Sequence, residues 1–254
     1  MLASREMMTF QSYQDQANLF VKDYLLADSW IPYTSIVGGI FACKLIYDLT
    51  QLVCTNYFKS YSSFSKIQRI EWNNRAISTI HSVFITTMSL YLVFCSNLFS
   101  DNQSTEPITV RSSSLSTFAL GVSVGYFISD FAMILWFFPS LGGYEYVIHH
   151  LLSLVAVAYS MLSGEGQLYT YMVLISETTT PGINLRWYLD VAGMKRSKAY
   201  LINGVVIFLA WMVERMHIIG QILVVVVPLV LSVMNLVWFA KIVKGLRKTL
   251  AKRQ

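Results

Sequence analysis

Two adjacent histidines, His149 and His150, lie in the apolar segment YEYVIHHLLSLVAVAY (144–159). The chain has only four histidines, so this pair is half of them. A buried imidazole without a hydrogen-bonding partner costs free energy, and the pair therefore needs an explanation. An imidazole beside a carboxylate in a dry cavity is a competent general base and can also act as a nucleophile. The pair is the first candidate for chemistry in this chain.

Two acidic residues in apolar surroundings are the candidate partners of these histidines. Asp130 lies in GYFISDFAMILWFF, and Glu177 lies in MVLISETTTPGINLRW. No basic residue lies within four positions of either acid. An ionised side chain near the centre of a bilayer costs roughly 2.5 kcal/mol or more. Both acids are therefore expected to face the interior of a helical bundle and to find partners on other helices.

Glu177 begins a polar stripe in its predicted helix. Helical spacing places Glu177, Thr180, Pro181 and Asn184 on one face. A polar face in an otherwise apolar helix should point into the bundle, so we expect Thr180 and Asn184 to lie beside Glu177. Arg186 is expected either to reach back to this stripe or to contact a lipid phosphate.

The two histidines cannot share one narrow face of a helix, because adjacent residues point about 100° apart. At least one ring should therefore point into the bundle, where Asp130 or Glu177 is the available partner. One interpretation is a chemical site built from these four residues. The other is a polar knot whose hydrogen bonds lock the helices together. Spacing alone leaves both open.

Other charged residues at membrane depth have simpler explanations. Lys44 and Asp48 are one helical turn apart and can pair locally. His81 lies one turn into its predicted span and is expected to be interfacial or to pack between helices. Glu214 and Arg215 lie near a predicted membrane face, where solvent can reach them.

The number and spacing of particular residues argue against several kinds of functional site. Four histidines cannot supply the histidine boxes of a membrane di-iron enzyme, and a zinc site needs three or four converging ligands. The three cysteines lack metal-type spacing, and no G-x-S-x-G nucleophile elbow occurs. A basic face with interleaved aromatic residues, typical of nucleic-acid binding, is also lacking. We therefore expect no metal, no resident cofactor and no nucleic-acid partner.

The composition indicates which elements hold these residues. The chain is 55% hydrophobic and only 13% charged, whereas a soluble domain carries about 25% charged residues. A membrane span needs about 20 apolar residues. We expect an all-α integral membrane protein with a six- to seven-helix transmembrane bundle, and seven is favoured. The predicted spans are 31–54, 76–99, 115–138, 144–162, 167–190, 199–219 and 221–243.

The distribution of basic residues predicts the orientation. Seven spans place the basic loops 55–75 and 190–198 and the basic C-terminal tail on one side, which the positive-inside rule makes cytosolic. The polar N-terminal segment 1–29, in which we see no cleavable signal peptide, then lies on the opposite side. So does the NQS sequon at Asn102, which is otherwise an ordinary polar loop.

Three segments resemble a known membrane family. GYFISD (125–130), EYVIHHLLSLVAVAYSM (145–161) and ISETTTPGINLRWYLD (175–190) are similar, in this order, to the TLC domain that ceramide synthases contain. Within the family the chain resembles a small, plant-like branch without synthase activity. The implied division is a polar N-terminal segment, a first span with a cytosolic linker, the TLC domain and a basic cytosolic tail. The ranges are 1–29, 30–69, 70–245 and 246–254.

The resemblance implies a helical bundle with an internal cavity open to lipid, in the endoplasmic reticulum or a connected endomembrane. The roles it implies are N-acylation of sphingoid bases, lipid sensing or transfer, and control of phospholipid composition. Ceramide synthases carry a later His-Asp pair and a further aspartate, where this chain has Ser176, Glu177 and Thr180. Only one acid of that set is kept, as a glutamate.

The leading hypothesis is a protein that handles lipid and influences membrane lipid composition, with a membrane lipid or acyl chain as its partner. His149, His150, Asp130 and Glu177 would line the polar end of the cavity, and Arg186 would stand at its cytosolic mouth. The alternative is an N-acyltransferase with acyl-CoA as co-substrate, in which those first four residues would be catalytic. A transporter would predict an internal repeat or a broken-helix pair, and we find neither.

Overall fold

A computed structural model describes residues 29–100, 107–221 and 227–251, and the side chains of 212–221, 227–233 and 249–251 are outside the described set. The regular elements in these ranges are all helices. A π-helical turn, Tyr91–Cys95, extends the third helix, and short 3-10 turns occur at Ile108–Val110 and Ile175–Thr179. The α-helices are α1 Ile31–Tyr57, α2 Lys59–Ser63, α3 Lys66–Leu90, α4 Ser114–Trp136, α5 Tyr144–Ser163, α6 Gln167–Leu174, α7 Thr180–Val191, α8 Lys198–Gln221 and α9 Val227–Ala251.

Some of the sequence predictions concern residues or side chains that the structure does not describe. These are the N-terminal segment up to residue 28, the sequon at Asn102, and the side chains of Glu214 and Arg215. The backbone of the latter two belongs to α8, which continues as far as Gln221.

The helices confirm an all-α membrane protein. Within the described residues, four helices are long and apolar enough to cross a bilayer, namely α1, α3 with its π-helical extension, α4 and α5. The apolar part of α8 with described side chains, Lys198–Trp211, is shorter. Each of the seven predicted spans overlaps a described helix, but residues 96–99 of the second are not helical and residues 222–226 of the seventh lie outside the described residues. The first, third and fourth begin within one residue of their predicted starts.

The fifth predicted span, 167–190, is not one continuous α-helix. It consists of α6, the 3-10 turn Ile175–Thr179 and α7, with Pro181 in the first turn of α7. Proline has no N–H to donate to the preceding turn, so a helix start is its natural position. The hydroxyls of Thr178 and Thr179 donate to the carbonyls of Ile175 and Ser176. Irregular backbone at membrane depth requires such internal partners.

Helix α4 is the centre of the bundle and packs most extensively against α1. The two helices meet through glycines, which allow close approach of the backbones. A Cβ atom added at Gly39 would lie 2.6 Å from the carbonyl oxygen of Val122. One added at Gly125 would lie 2.4 Å from the carbonyl oxygen of Ile36. No side chain larger than hydrogen fits at these positions without moving a helix.

Capping boxes fix where α3 and α4 begin. The Ser65 hydroxyl accepts from the Gln68 N–H at 3.2 Å, and the Gln68 side chain accepts from the Ser65 N–H at 2.9 Å. Ser113 and Ser116 form the same reciprocal pair before α4. These two starts determine which residues of α3 and α4 reach the middle of the bundle.

The basic segments gather at one end of the bundle, which we name the basic end. Here α3, α5 and α8 begin and α4 and α7 end. The Tyr188 hydroxyl donates to the Trp72 carbonyl at 2.9 Å, which joins the end of α7 to the start of α3. Lys241 Nζ donates to Glu145 Oε1 at 2.7 Å, which joins α9 to the first turn of α5. The loops 55–75 and 190–198 and the C-terminal part of α9 therefore share one end, as the charge pattern predicts.

Candidate functional site

Asp130 and His150 are in contact in the interior of the bundle. Asp130 lies in the last two turns of α4 rather than at its middle, and His150 lies in the second turn of α5. His150 Nδ1 is 2.9 Å from Asp130 Oδ2, although the N–H direction does not meet the angle of a linear hydrogen bond. The two side chains are only 12% and 6% exposed. The contact is a buried acid–imidazole pair near the basic end.

Asn74 on α3 completes this contact. Its Nδ2 donates to Asp130 Oδ1 at 2.6 Å, so each carboxylate oxygen of Asp130 has a partner on a different helix. The Asp130 side chain thus joins α3, α4 and α5. Asn74 was not predicted, because nothing in the spacing of its segment IEWNNR (70–75) links it to Asp130.

The second ring nitrogen of His150 is Nε2. No hydrogen bond joins it to another residue in the described part of the chain. An imidazole whose Nδ1 faces a carboxylate and whose Nε2 is accessible is the usual arrangement of a general base. The same nitrogen can also accept or donate a hydrogen bond to a bound polar group.

His149 points elsewhere, as the 100° rotation between neighbours requires. Its ring packs edge-on against Trp238 of α9, with the ring centroids 5.0 Å apart. His149 Nδ1 and Trp238 Nε1 are both buried and have no hydrogen-bonding partner among the described residues. Unsatisfied buried polar atoms are uncommon, so two of them at the α5–α9 junction mark a place where a polar ligand would be stabilised.

Glu177 lies in the 3-10 turn and interacts electrostatically with both His150 and Asp130. Its hydrogen bond, however, is local, since Oε2 accepts from the Thr180 hydroxyl at 2.8 Å. Glu177 and Thr180 therefore lie beside the acid–imidazole pair, and the acid that contacts His150 directly is Asp130.

His81 is a third imidazole near the pair. It is buried on α3, stacks on Tyr126 with ring centroids 3.8 Å apart, and has Nε2 3.0 Å from the Ser123 hydroxyl. It also interacts electrostatically with Asp130 and His150. The expectation that it packs between helices holds, but its proximity to the candidate site was not foreseen.

Asn184 and Arg186 lie apart from the acid–imidazole pair. Asn184 is buried against α3, where it accepts from Arg75 Nη1 at 3.0 Å and donates to the Thr79 hydroxyl at 3.0 Å. The Arg186 guanidinium lies 4.0 Å from the centre of the Tyr200 ring and donates to the Tyr200 carbonyl at 3.3 Å. Both residues therefore hold α7 against its neighbours, and Arg186 does not reach back to Glu177.

Two observations concern what the site can bind: whether side chains converge to hold a metal ion, and where a groove lies on the surface. Within the part of the chain that the structure describes, no three His, Cys, Asp or Glu side chains converge in a way that could hold a metal ion. A groove of about 430 Å³ lies on α1, lined by Asp48, Gln51, Leu52, Thr55 and Asn56. None of these residues belongs to the acid–imidazole pair.

Comparison with known proteins gives consistent similarities. Residues 71–220, more than half of the chain, match the family model of the TLC domain. TLC domain-containing protein 4-B of Xenopus laevis is 29% identical over 76% of this chain and 80% of its own length. Human TLC domain-containing protein 4 is 26% identical over 82% of this chain and 86% of its own. A Dictyostelium discoideum relative, TLC domain-containing protein 4 A, is 25% identical over 82% and 85%.

The matched region runs from α3 to the end of α8, and it contains Asn74, His81, Asp130, His150 and Glu177. The acid–imidazole pair and the residues around it therefore lie inside the domain that the relatives share. The chain is a multi-helix membrane protein that belongs to the TLC domain family.

Proposed function

We propose that this protein is a lipid-handling member of the small, plant-like branch of the family without synthase activity. It binds the polar end of a membrane lipid or acyl chain beside His150 and influences the lipid composition of its membrane. The observation that carries the proposal is the buried Asp130–His150 contact, in which Nε2 has no hydrogen-bonding partner among the described residues. The proposal places the protein in the endoplasmic reticulum or a connected endomembrane, with its basic end and C-terminus in the cytosol.

The cost of burial supports a binding role. A buried ion pair is often no more stabilising than well-packed apolar side chains of similar volume. A sequence that keeps Asp130, Asn74 and His150 together in an apolar bundle therefore gains little stability from doing so. The arrangement is explained when the pair orients a ring nitrogen toward a polar group of a ligand, such as an ester, amide or hydroxyl.

The neighbourhood fits a lipid. His149 Nδ1 and Trp238 Nε1 at the α5–α9 junction have no partner among the side chains that the structure describes, and their N–H groups can bond to carbonyl oxygens of a headgroup. Exposed apolar residues of α5, including Leu151 and Val155, continue from the histidines toward the other end of the bundle. An acyl chain along this face would leave its headgroup at the histidines and near the basic end, where anionic phosphate is attracted.

Replacing His150 with alanine is expected to reduce the lipid that co-purifies with the protein. A hydrogen bond to a charged group contributes about 1.5–3 kcal/mol, so the occupancy of a specific lipid should fall roughly tenfold or more. Native mass spectrometry of the protein from mild detergent measures this directly. Glu165→Gln, an acid at the opposite end of α5, is the control and should keep the wild-type lipid pattern. Equal lipid patterns in the two folded variants would contradict the proposal.

A second candidate function is favoured by the same contact. An Asp130–His150 pair whose Nε2 has no hydrogen-bonding partner among the described residues is suited to N-acyl transfer from acyl-CoA to a sphingoid base. His150 Nε2 would take the proton of the amine as its nitrogen attacks the thioester carbon. The carbon–sulfur bond would then break, and the imidazolium would return the proton to the coenzyme A thiolate. Asp130, with Glu177 nearby, would stabilise the imidazolium.

Turnover by purified protein separates the two functions. If the protein is an acyltransferase, it converts a labelled acyl-CoA and a sphingoid base to ceramide, and His150→Ala slows this by about 10²–10⁴-fold. Glu165→Gln should keep the wild-type rate. If wild-type protein with bound lipid shows no turnover with short or long acyl-CoA, the transferase function is rejected and the binding function stands.

A further inference from the structure

Helix α1 carries a polar seam on its outer face. Six residues of α1, from Val37 to Thr55, are alternately four and three positions apart, and all six are exposed. The two apolar ones, Val37 and Phe41, are 66% and 68% accessible. The polar ones include Lys44 and Asp48, whose side chains are 70% and 53% exposed. We name these residues the α1 seam: Val37, Phe41, Lys44, Asp48, Gln51 and Thr55.

The seam places charge in the middle of a membrane span. Lys44 is the fourteenth of the 27 residues of α1, and its Nζ donates to Asp48 Oδ1 at 2.6 Å, as the spacing predicts. This pair cancels the net charge but leaves both groups facing outward. Polar groups of this kind are costly against hydrocarbon and normally face protein or a water-filled cavity. The local pair therefore does not by itself account for the position of these two residues.

The other exposed positions of α1 at this depth are apolar. Leu45, Leu49 and Val53 lie on a different side of the helix and are each about half exposed. These residues suit lipid without further explanation. Between residues 44 and 53 the exposed polar groups of α1 therefore lie on one line, which is the pattern of a protein contact rather than of general solvation.

The spacing of the seam identifies the geometry of that contact. Steps of four and three residues repeat every seven, and this repeat keeps one face of a helix against a parallel neighbour in a left-handed pair. Most membrane helix pairs cross with this hand. The five steps from Val37 to Thr55 cover about two and a half such repeats.

We propose that the α1 seam is the contact surface for a second copy of this chain. A twofold axis along the membrane normal would bring the two seams together in parallel, so each seam meets the same residues in its partner. Two Lys44 and two Asp48 side chains then form a neutral cluster of four charges. Gln51 meets Gln51, and the amide carries both donors and an acceptor, so it pairs with itself.

Charge favours a second copy over a different partner. The seam is neutral and contains equal numbers of acids and bases, so it is complementary to itself. A partner helix with a net charge at this depth would leave one charge unpaired. The contact also leaves the rest of the fold unchanged, because Gly39, at the α1–α4 contact, lies on a different side of α1 from Lys44. It is independent of the proposed function, since no seam residue touches the acid–imidazole pair.

Cysteine cross-linking in native membranes tests this proposal. In a Cys95→Ser background, which removes the one exposed native cysteine of the described residues, Gln51→Cys should form a disulfide-linked dimer under mild oxidation. Leu49→Cys is the matched control, exposed at nearly the same depth but rotated about 160° away. We expect roughly ten times more dimer from the first variant, as close packing of a helix interface requires.

A charge exchange provides the second measurement. Lys44→Leu alone should shift the full chain toward monomer in lipid nanodiscs, and the double variant Lys44→Asp with Asp48→Lys should restore the dimer. Equal cross-linking at the two cysteine positions would overturn the proposal. So would a persistent monomer in both cysteine variants, or a cross-linked product whose mass is not twice that of the chain.

Discussion

Replacing Gly125 with leucine should prevent the protein from accumulating in a folded form. A Cβ atom at this position would lie 2.4 Å from the carbonyl oxygen of Ile36 and 2.9 Å from the backbone nitrogen of Ile40. Both are main-chain atoms of α1 and cannot rotate away. Overpacking typically costs about 1–3 kcal/mol, and a clash with backbone belongs at the top of that range or above it. Stability is only about 5–15 kcal/mol, so this loss is severe.

The neighbouring helix offers a matched control. Gly38 lies on α1 one position from the contact residue Gly39, but a Cβ there meets nothing within 4 Å. Gly38→Leu is therefore expected to keep the elution profile and the melting temperature of the wild type in size-exclusion thermostability measurements. Gly125→Leu should aggregate or melt well below both. Equal melting of the two leucine variants would show that α1 does not pack on α4 through these glycines.

The sequence predicts the helices well because hydrophobic length is a local property. The starts of α1, α4 and α5 follow from where the apolar runs begin, and polar caps such as Ser113 fix them further. The close contact of α1 with α4 is not readable in the same way. Glycines are common in membrane helices for several reasons, and only the assembled structure tells which of them, here Gly39 and Gly125, face another backbone.

The candidate site was predictable only in part, because its contacts join distant positions. Spacing left Asp130 and Glu177 as equal candidates for the histidines, and the crossing of α4 with α5 selects Asp130. Asn74, 56 positions away from Asp130, has no local signal. The expected stripe from Glu177 to Asn184 faces the bundle interior in part, since Thr180 bonds to Glu177 and Asn184 is buried against α3.

The expected stripe was derived from the rotation of 100° per residue in a regular α-helix. The 3-10 turn Ile175–Thr179 has three residues per turn instead, so the faces before and after it are rotated relative to each other. Asn184 faces α3, where it bonds to Arg75 and Thr79.

Removing only the acid of the central pair should destabilise the protein strongly. Asp130→Ala leaves the Asn74 amide and the His150 ring without their shared acceptor in the interior. Breaking one side of a buried charged pair costs about 3–5 kcal/mol. The melting temperature should fall clearly below that of Asp130→Asn, which keeps an oxygen acceptor and nearly the same volume. Similar melting of the two variants would mean that the pair contributes little to the fold.

Replacing both partners distinguishes a site from a polar knot. Apolar residues of similar volume in place of a buried pair are often neutral or stabilising, so Asp130→Leu with His150→Leu should recover most of the stability lost in Asp130→Ala. If His150 binds lipid, this stable double variant still loses the co-purifying lipid, because no polar group remains to hold it. If the pair only locks α4 to α5, stability and lipid content recover together. Thermal melting and native mass spectrometry on the same sample decide between these outcomes, and we expect stability to return without the lipid.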